Sequence, residues 1–224
     1  VVAVESGDID EEQIKAAVTR VTRVKEKYCS WDEIGSDEVP SFVCGKKHQQ
    51  LANDIYKQGI TIVKNDGILP VKNKRVLVVY SENKYTMQVE DRRYSSMYLG
   101  ETIKEIDDTA EVIKLSNPAT DDEIRNVAVK ARHFEAIIVG TLTVQKGDAQ
   151  TKLVNALVNT GVPVIVVATR SPYDLAYLPE VQAYICTYEF PYPALKMAAQ
   201  AIYGREQVTG KLPVTIPQVR ERLK

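Results

Sequence analysis

The stretch "PVIVVAT", residues 163–169, is the one from which the fold can be predicted. Five apolar residues, four of them β-branched, follow Pro163 without a polar interruption. A strand exposed on one face alternates polar and apolar residues, whereas a strand covered on both faces is apolar throughout. The stretch therefore predicts an inner strand of a sheet with helices packed on both sides.

Similar runs recur along the chain: "ITIV" (60–63), "RVLVVY" (75–80), "EVIKL" (111–115), "AIIVGT" (136–141) and "AYICTY" (183–188). Helical patterns alternate with them, near residues 46–58, 94–106, 121–132, 147–159 and 191–203. Alternating strands and helices favour right-handed crossovers around a parallel sheet. We expect an α/β three-layer sandwich with a mostly parallel sheet of about five or six strands.

An additional helix is predicted before this domain, over residues 10–28. Its apolar residues recur every three or four positions and form one stripe: Ile14, Ala17, Val18, Val21, Val24 and Tyr28. Asp8 or Asp10 is expected to cap its start. The irregular "SWDEIGSDEVPSFVCG" that follows is typical of a linker. We expect the stripe to fold onto its own domain or to mediate self-association.

These patterns predict four parts. Residues 1–30 form a helix from a preceding domain, residues 31–50 a linker, residues 51–217 the α/β domain, and residues 218–224 a charged tail. Near the end, Pro213 and Pro217 enclose a short apolar segment. Because proline cannot donate a ladder hydrogen bond, this segment is expected to end the sheet or to pack on its surface.

Composition excludes several classes of function. The 224 residues carry a formal net charge of −1, so no broad field attracts nucleic acid. No apolar run reaches the roughly 18 residues needed to span a bilayer. Cys29, Cys44 and Cys186 are scattered, so neither a disulfide framework nor a metal site is predicted, and no cofactor is expected. The compartment stays open between cytoplasm and cell envelope or exterior.

Ligands of open α/β sheets bind beyond the carboxyl ends of the strands. Two segments there carry polar groups, and they supply the candidate residues Arg170, Ser171, Tyr173, Asp174 and Glu189. One interpretation is a cluster that contacts a hydroxylated ligand or an adjoining domain. The other is a turn in which Ser171 or Asp174 caps a short helix. Both interpretations remain open at this stage.

The remaining loops give weaker signals. "GTLTVQKGD" (140–148) lacks Gly-x-Gly-x-x-Gly and predicts a loop leading to a helix rather than a phosphate site. Arg92 and Arg93 either hold an anion or lie on the surface. His48 lies on a polar helix face and His133 at a helix end, and neither forms a recognisable pair with a Ser or Cys nucleophile, so a hydrolase triad has no support. We therefore assign no catalytic residue to this chain.

Three phrases, in the right order, resemble glycoside hydrolase family 3. "VESGDIDEEQIKAAVTRVTRVKEKY" (4–28) is similar to the last helix of that family's barrel. "HQQLANDIYKQGITIVKNDGILPV" (48–71) is similar to the entry into its second domain. "AIYGREQVTGKLPVTIP" (201–217) resembles its closing phrase, with Val208 in place of the usual proline. "VVATRSPYDLAYLPEVQAYICTY" (166–188) looks like the β-N-acetylglucosaminidase branch.

The resemblance implies a (β/α)8 barrel followed by an α/β sandwich, with residues 1–30 left from the barrel. Family members are retaining exo-glycosidases whose nucleophile is a barrel aspartate, and the matching segment lies upstream of this chain. Many β-glucosidases of the family supply the acid/base glutamate from a loop ending in Lys-Gly-Asp. Here Thr143, Val144 and Gln145 precede Lys146, so that role has no matching residue. In the β-N-acetylglucosaminidase branch an Asp–His pair of the barrel takes it.

The implied function is hydrolysis of terminal N-acetylglucosamine from cell-wall or chitin-type glycans by the full-length protein. Its implied partners are the barrel domain and the carbohydrate, and the chain alone is expected to be inactive. Two other hypotheses remain: a non-catalytic carbohydrate-binding or scaffolding module, and a free-standing flavodoxin-like domain with its own ligand. Catalytic residues in the upstream sequence would favour the enzyme, and flavin binding would favour the flavodoxin-like domain.

Overall fold

The computed structural model describes residues 1–29, 39–82 and 97–216. The chain divides into two compact units, Val1–Gly45 and Lys46–Lys224. The first unit contains helix α1 (Val2–Glu5) and helix α2 (Glu11–Tyr28). Asp10 is the N-cap of α2, and its side chain accepts a hydrogen bond from the amide of Glu12. Of the two predicted caps, the structure therefore selects Asp10.

The second unit alternates strands and helices as the sequence predicts. Its elements in chain order are α3 (Lys46–Gly59), β1 (Thr61–Asn65), β2 (Val76–Ser81), α4 (Leu99–Lys104), β3 (Glu111–Leu115), α5 (Asp121–Ala131), β4 (Ala136–Thr141), α6 (Ala149–Val158), β5 (Val164–Ala168), a 3-10 helix (Pro172–Tyr177), β6 (Ala183–Cys186) and α7 (Tyr192–Ile202). The pattern near residues 94–106 is helical only in α4, and residues 94–96 lie outside the described part.

The six strands form one sheet in the order β1-β6-β5-β4-β2-β3. Strands β2 to β6 run parallel to one another, and β1 pairs antiparallel with β6 at one edge. The register of β1 shifts between Ile62 and Lys64. The mostly parallel sheet that the sequence predicts is confirmed.

Both faces of the sheet are covered. Alternate residues of β5 belong to different clusters: Val164 and Val166 pack with α5 and α6, while Ile165 and Val167 pack with α4 and α7. All four are fully buried. Burial on both faces is why "PVIVVAT" shows no polar alternation, and it confirms the three-layer sandwich.

The closing segment, residues 207–216, packs on the domain without forming a strand. The amides of Thr209 and Gly210 donate to the carbonyls of Lys57 (3.0 Å) and Ile60 (3.1 Å). Ile216 is 2% exposed and joins the core on the α5–α6 side. Of the two expectations for this segment, packing on the surface is the one observed.

Among the described residues, no helix combines the length and the apolarity that crossing a membrane requires.

Candidate functional site

The carboxyl ends of β4, β5 and β6 lie side by side at one edge of the sheet, and a buried threonine ends β4 and directly follows β5 and β6. These are Thr141, Thr169 and Thr187. The hydroxyl of Thr169 donates to the carbonyl of Thr141 at 2.7 Å, and the amide of Thr187 donates to Ala168 at 3.0 Å. These bonds extend the connection between strands beyond the last residues of β5 and β6. These hydrogen bonds hold the starting points of the three following loops in fixed positions relative to one another.

The loop after β5 carries four of the predicted site residues. Ser171 is the N-cap of the 3-10 helix, and its side chain accepts a hydrogen bond from the amide of Tyr173 at 3.3 Å. The capping interpretation therefore holds for Ser171. The Tyr173 side chain is 48% exposed, and Arg170 is half-buried at the start of the loop. Arg170, Ser171 and Tyr173 are the members of this group that present surface to solvent.

Asp174 is not a cap but a buried carboxylate with 1% exposure. Its Oδ2 accepts from the Thr141 hydroxyl, and its Oδ1 accepts from the amide of Val144, both at 2.9 Å. Burial raises the pKa of this carboxyl to about 6, although the two hydrogen bonds act in the opposite direction. In this position Asp174 has almost no surface for a ligand. Its observed contacts instead join the loop after β5 to the loop after β4.

Glu189 lies in the loop after β6, the strand next to β5. Its Oε2 accepts a hydrogen bond from the Tyr56 hydroxyl of α3 at 2.9 Å. The preceding residue, Tyr188, has φ of 62°, and its hydroxyl donates to Thr61 at 3.0 Å. A cavity of about 310 Å³ lies here, lined by Ala52, Ile55, Tyr56, Gly59, Ile60, Thr187, Tyr188 and Glu189. Glu189 is thus at the same sheet edge as Arg170, at the end of the neighbouring strand.

The loop after β4, residues 142–148, contains positions that sequence reasoning did not select. Gln150 bonds both backbone groups of Leu142, with its Oε1 accepting from the amide at 2.8 Å and its Nε2 donating to the carbonyl at 2.9 Å. Asp148 accepts from the amide of Gln145 at 2.9 Å and from that of Thr151 at 2.7 Å. This loop leads into the capped start of α6, as predicted.

Side chains of Thr143, Gln145 and Lys146 are exposed on this loop, while Val144 is buried. Thr143 has φ of 52°, a conformation that is rare for a β-branched residue. Strained residues of this kind collect at functional sites. A positive φ cannot be read from "GTLTVQKGD", so the sequence contained no signal for it.

In the loops after β4, β5 and β6, the described carboxylates Asp148, Asp174 and Glu189 are already engaged by the protein. Asp174 binds Thr141 and Val144, Asp148 binds two amides, and Glu189 binds the Tyr56 hydroxyl. The loops therefore form a polar, pre-organised surface in which these acids act as structural acceptors. The predicted candidates Arg92 and Arg93 lie outside the described residues.

Comparison with known proteins identifies the domain. The family model described as the glycosyl hydrolase family 3 C-terminal domain matches residues 60–224. No curated protein matches the chain.

Solved structures share the fold. A fungal multi-domain family 3 β-N-acetylglucosaminidase has a TM-score of 0.75 at 21% identity, over 96% of this chain and 25% of that one. A family 3 β-N-acetylglucosaminidase from Paenibacillus sp. str. FPU-7 has a TM-score of 0.75 at 24% identity, over 96% of this chain and 41% of that one. A β-glucosidase from Listeria innocua has a TM-score of 0.68 at 14% identity, over 96% of this chain and 34% of that one. The chain thus spans between a quarter and about two fifths of these proteins. The family match over residues 60–224, on the sheet described above, shows that the chain belongs to glycoside hydrolase family 3 and contains its C-terminal domain.

Proposed function

We propose that this chain is the C-terminal part of a retaining family 3 glycosidase of the β-N-acetylglucosaminidase type. The full-length protein would remove terminal N-acetylglucosamine from cell-wall or chitin-type glycans. Two of the similar structures are named as β-N-acetylglucosaminidases, and both have a TM-score of 0.75. Others named as a β-glucosidase or a β-glucoside phosphorylase have values of 0.61 to 0.69.

The loop after β4 is the observation that carries the choice of sugar. In the β-glucosidase pattern an acid/base glutamate precedes Lys-Gly-Asp, whereas here Thr143 and Gln145 are the exposed residues before Lys146. Neither a threonine hydroxyl nor a glutamine amide is acidic enough to protonate a leaving oxygen near neutral pH. We therefore assign the proton donor to another domain, as in the β-N-acetylglucosaminidase branch.

A retaining reaction needs two carboxyl groups roughly 5–5.5 Å apart, on either side of the scissile bond. The described acids at the carboxyl edge of the sheet are engaged in the structure, and Asp174 is buried. We therefore place the nucleophile and the acid in a preceding (β/α)8 barrel, whose last helix is α2. Arg170, Ser171, Tyr173 and Glu189 would face that barrel or the rim of the sugar site.

The test compares this chain with the full-length protein on an aryl N-acetylglucosaminide and on the matching aryl glucoside. The chain alone should hydrolyse neither above background. The full-length protein should prefer the N-acetylglucosaminide. Turnover by the isolated chain would contradict the placement of the catalytic groups, and a preference for the glucoside would contradict the assigned sugar. An inactive full-length protein that binds chitooligosaccharides would instead support a carbohydrate-binding module.

A further inference from the structure

The loop at residues 142–148 contains one strained residue and is fastened to the domain by side chains at both ends and in the middle. Thr143 has φ of 52°, a conformation that costs a β-branched residue free energy. Gln150 and Asp148 hold the two ends of the loop. At its centre Val144 is 4% exposed, and the described bond of its amide goes to Asp174. Asp174 is therefore the side chain that fastens the middle of this loop.

Asp174 is also the point at which three elements meet. It belongs to the 3-10 helix, accepts from Thr141 at the end of β4, and accepts from Val144 in the loop. With 1% of its surface exposed, its carboxyl group can be hydrated only if one of these segments moves. Opening of the loop at Val144 breaks the hydrogen bond to Oδ1 and admits water to that oxygen.

Among the described residues, the groups that act most strongly on the Asp174 carboxyl are hydrogen-bond donors and one further acid. Asp148 faces it from the start of α6, Ser171 from the start of the 3-10 helix, and Tyr184 and Cys186 from β6. Burial raises the pKa of Cys186 to about 12 and raises that of Tyr184, so both are neutral. Asp148 carries a like charge and raises the pKa of Asp174 further. An ionised Asp174 thus has hydrogen-bond donors here and an unfavourable charged neighbour.

We propose that Asp174 is a pH-sensitive latch for the loop 142–148: its neutral carboxyl stabilises the closed loop, and its carboxylate favours opening. Burial is the reason, because the carboxylate regains hydration when the loop opens, whereas the neutral acid gains much less. The loop lies at the edge of the sheet where the candidate site is found. The latch does not depend on the glycosidase function proposed above, so either can fail without the other.

The direction and the pH range of the effect on loop opening follow from the pKa of Asp174 in the closed loop and in the open loop. The pKa of Asp174 is about 6 in the closed loop, and hydration on opening returns it toward the ordinary value of 3.8. The extra stability of the closed loop is therefore complete below the ordinary value and is lost as the pH rises through about 6. A difference of about two pKa units corresponds to a change of up to about 100-fold in the opening equilibrium.

Hydrogen exchange of the Val144 amide in the 224-residue chain tests the latch. After correction for the intrinsic exchange rate, its protection should fall between about pH 4 and pH 7, by up to about 100-fold. In Asp174→Asn the protection should not depend on pH in this range. In Asp148→Asn, which keeps a capping side chain, the midpoint should move to lower pH because the like charge is removed.

A second measurement needs no variant. The carbon chemical shift of the Asp174 carboxyl should titrate near pH 6, and the amide signals of Thr143 and Gln145 should follow the same midpoint. A midpoint near 4, protection of Val144 that is flat with pH, or a pH dependence that survives in Asp174→Asn would each overturn the proposal.

Discussion

Gly210 shows at the scale of one residue how the closing segment is fixed to the domain. A Cβ at this position would lie 2.2 Å from the carbonyl oxygen of Gly59, 2.4 Å from that of Ile60 and 2.6 Å from the Thr61 hydroxyl. Two of these atoms are backbone and cannot move away without disturbing the start of β1. The close approach explains a glycine in a segment otherwise rich in rigid and apolar residues.

Replacing this glycine is expected to be costly. Gly210→Ala should lower the free energy of unfolding by about 1–3 kcal/mol because the added methyl overpacks the contact. Urea denaturation measures the change. Gly59→Ala is the matched control, since a Cβ there meets no heavy atom within 4 Å. Equal effects from the two substitutions would show that the contact at Gly210 is not the cause.

Glu123 provides a prediction on acid stability. It forms a capping box with Thr120 at the start of α5, and it also accepts from the hydroxyl and the amide of Ser116. These hydrogen bonds, the Ser116 hydroxyl first, lower the pKa of Glu123 to about 2. The stabilisation is present above the ordinary value of 4.5 and is lost as the pH falls toward about 2. Urea midpoints of the wild type should fall over this range more steeply than those of Glu123→Gln. Parallel curves for the two proteins would contradict the role.

The candidate residues divide according to how local their interactions are. Ser171 could be identified as a cap because its acceptor role depends on the next two residues alone. The inward orientation of Asp174 depends on Thr141 and Val144, which are 33 and 30 positions away. Spacing along the chain carries no information about such distant partners, so the prediction that grouped Asp174 with the candidate contact residues could not include its inward orientation.

At the scale of elements, the apolar stripe of α2 is exposed in the structure. Ile14, Val18, Val21 and Val24 are between 44% and 58% exposed, and none of the residues of α2 is buried. Scattered exposed apolar residues are common, but a continuous stripe on one helix face is typical of an interaction surface. Self-association therefore remains our prediction for the isolated chain.

Sedimentation velocity tests that prediction. The chain should form oligomers whose proportion grows with concentration and with salt. Lys25 lies on the same helix face as the stripe, and salt screens its repulsion between copies. Val21→Glu should shift the distribution toward monomer. Thr19→Glu, on the opposite helix face, should not. A monomer at every concentration and salt level would refute the prediction.

The strands of the parallel sheet could be predicted better than the strand at its edge. Strands β2, β4, β5 and β6 are buried on both faces, so each appears in the sequence as a run of apolar residues that a pattern search can find. Strand β1 has a mixed burial pattern and a shifted register, and its antiparallel pairing with β6 joins residues more than 100 positions apart. Direction and neighbours of an edge strand depend on the completed sheet, so "ITIV" could predict a strand but not its orientation.

At the scale of the whole molecule, the two cores are built from residues of the second unit. Every member of either cluster among the described residues, from Tyr56 to Ile216, lies after Gly45. Because the cores contain most of the buried apolar surface, they should determine the stability of this unit.

A chain of residues 46–224 should therefore fold without the first unit. Its free energy of unfolding should agree with that of the full 224 residues to within about 1 kcal/mol. The reason is that the residues removed contribute no member to either core cluster. Chemical denaturation followed by circular dichroism measures both. A loss of several kcal/mol, or aggregation on expression, would mean that the first unit is needed for folding.

The edge strand β1 has a further consequence for how copies of this chain associate. Its displaced register between Ile62 and Lys64 interrupts the straight row of amide and carbonyl groups that an incoming strand would need. Edge-to-edge joining of separate copies through β1, the first step toward a fibril, is therefore disfavoured at this strand.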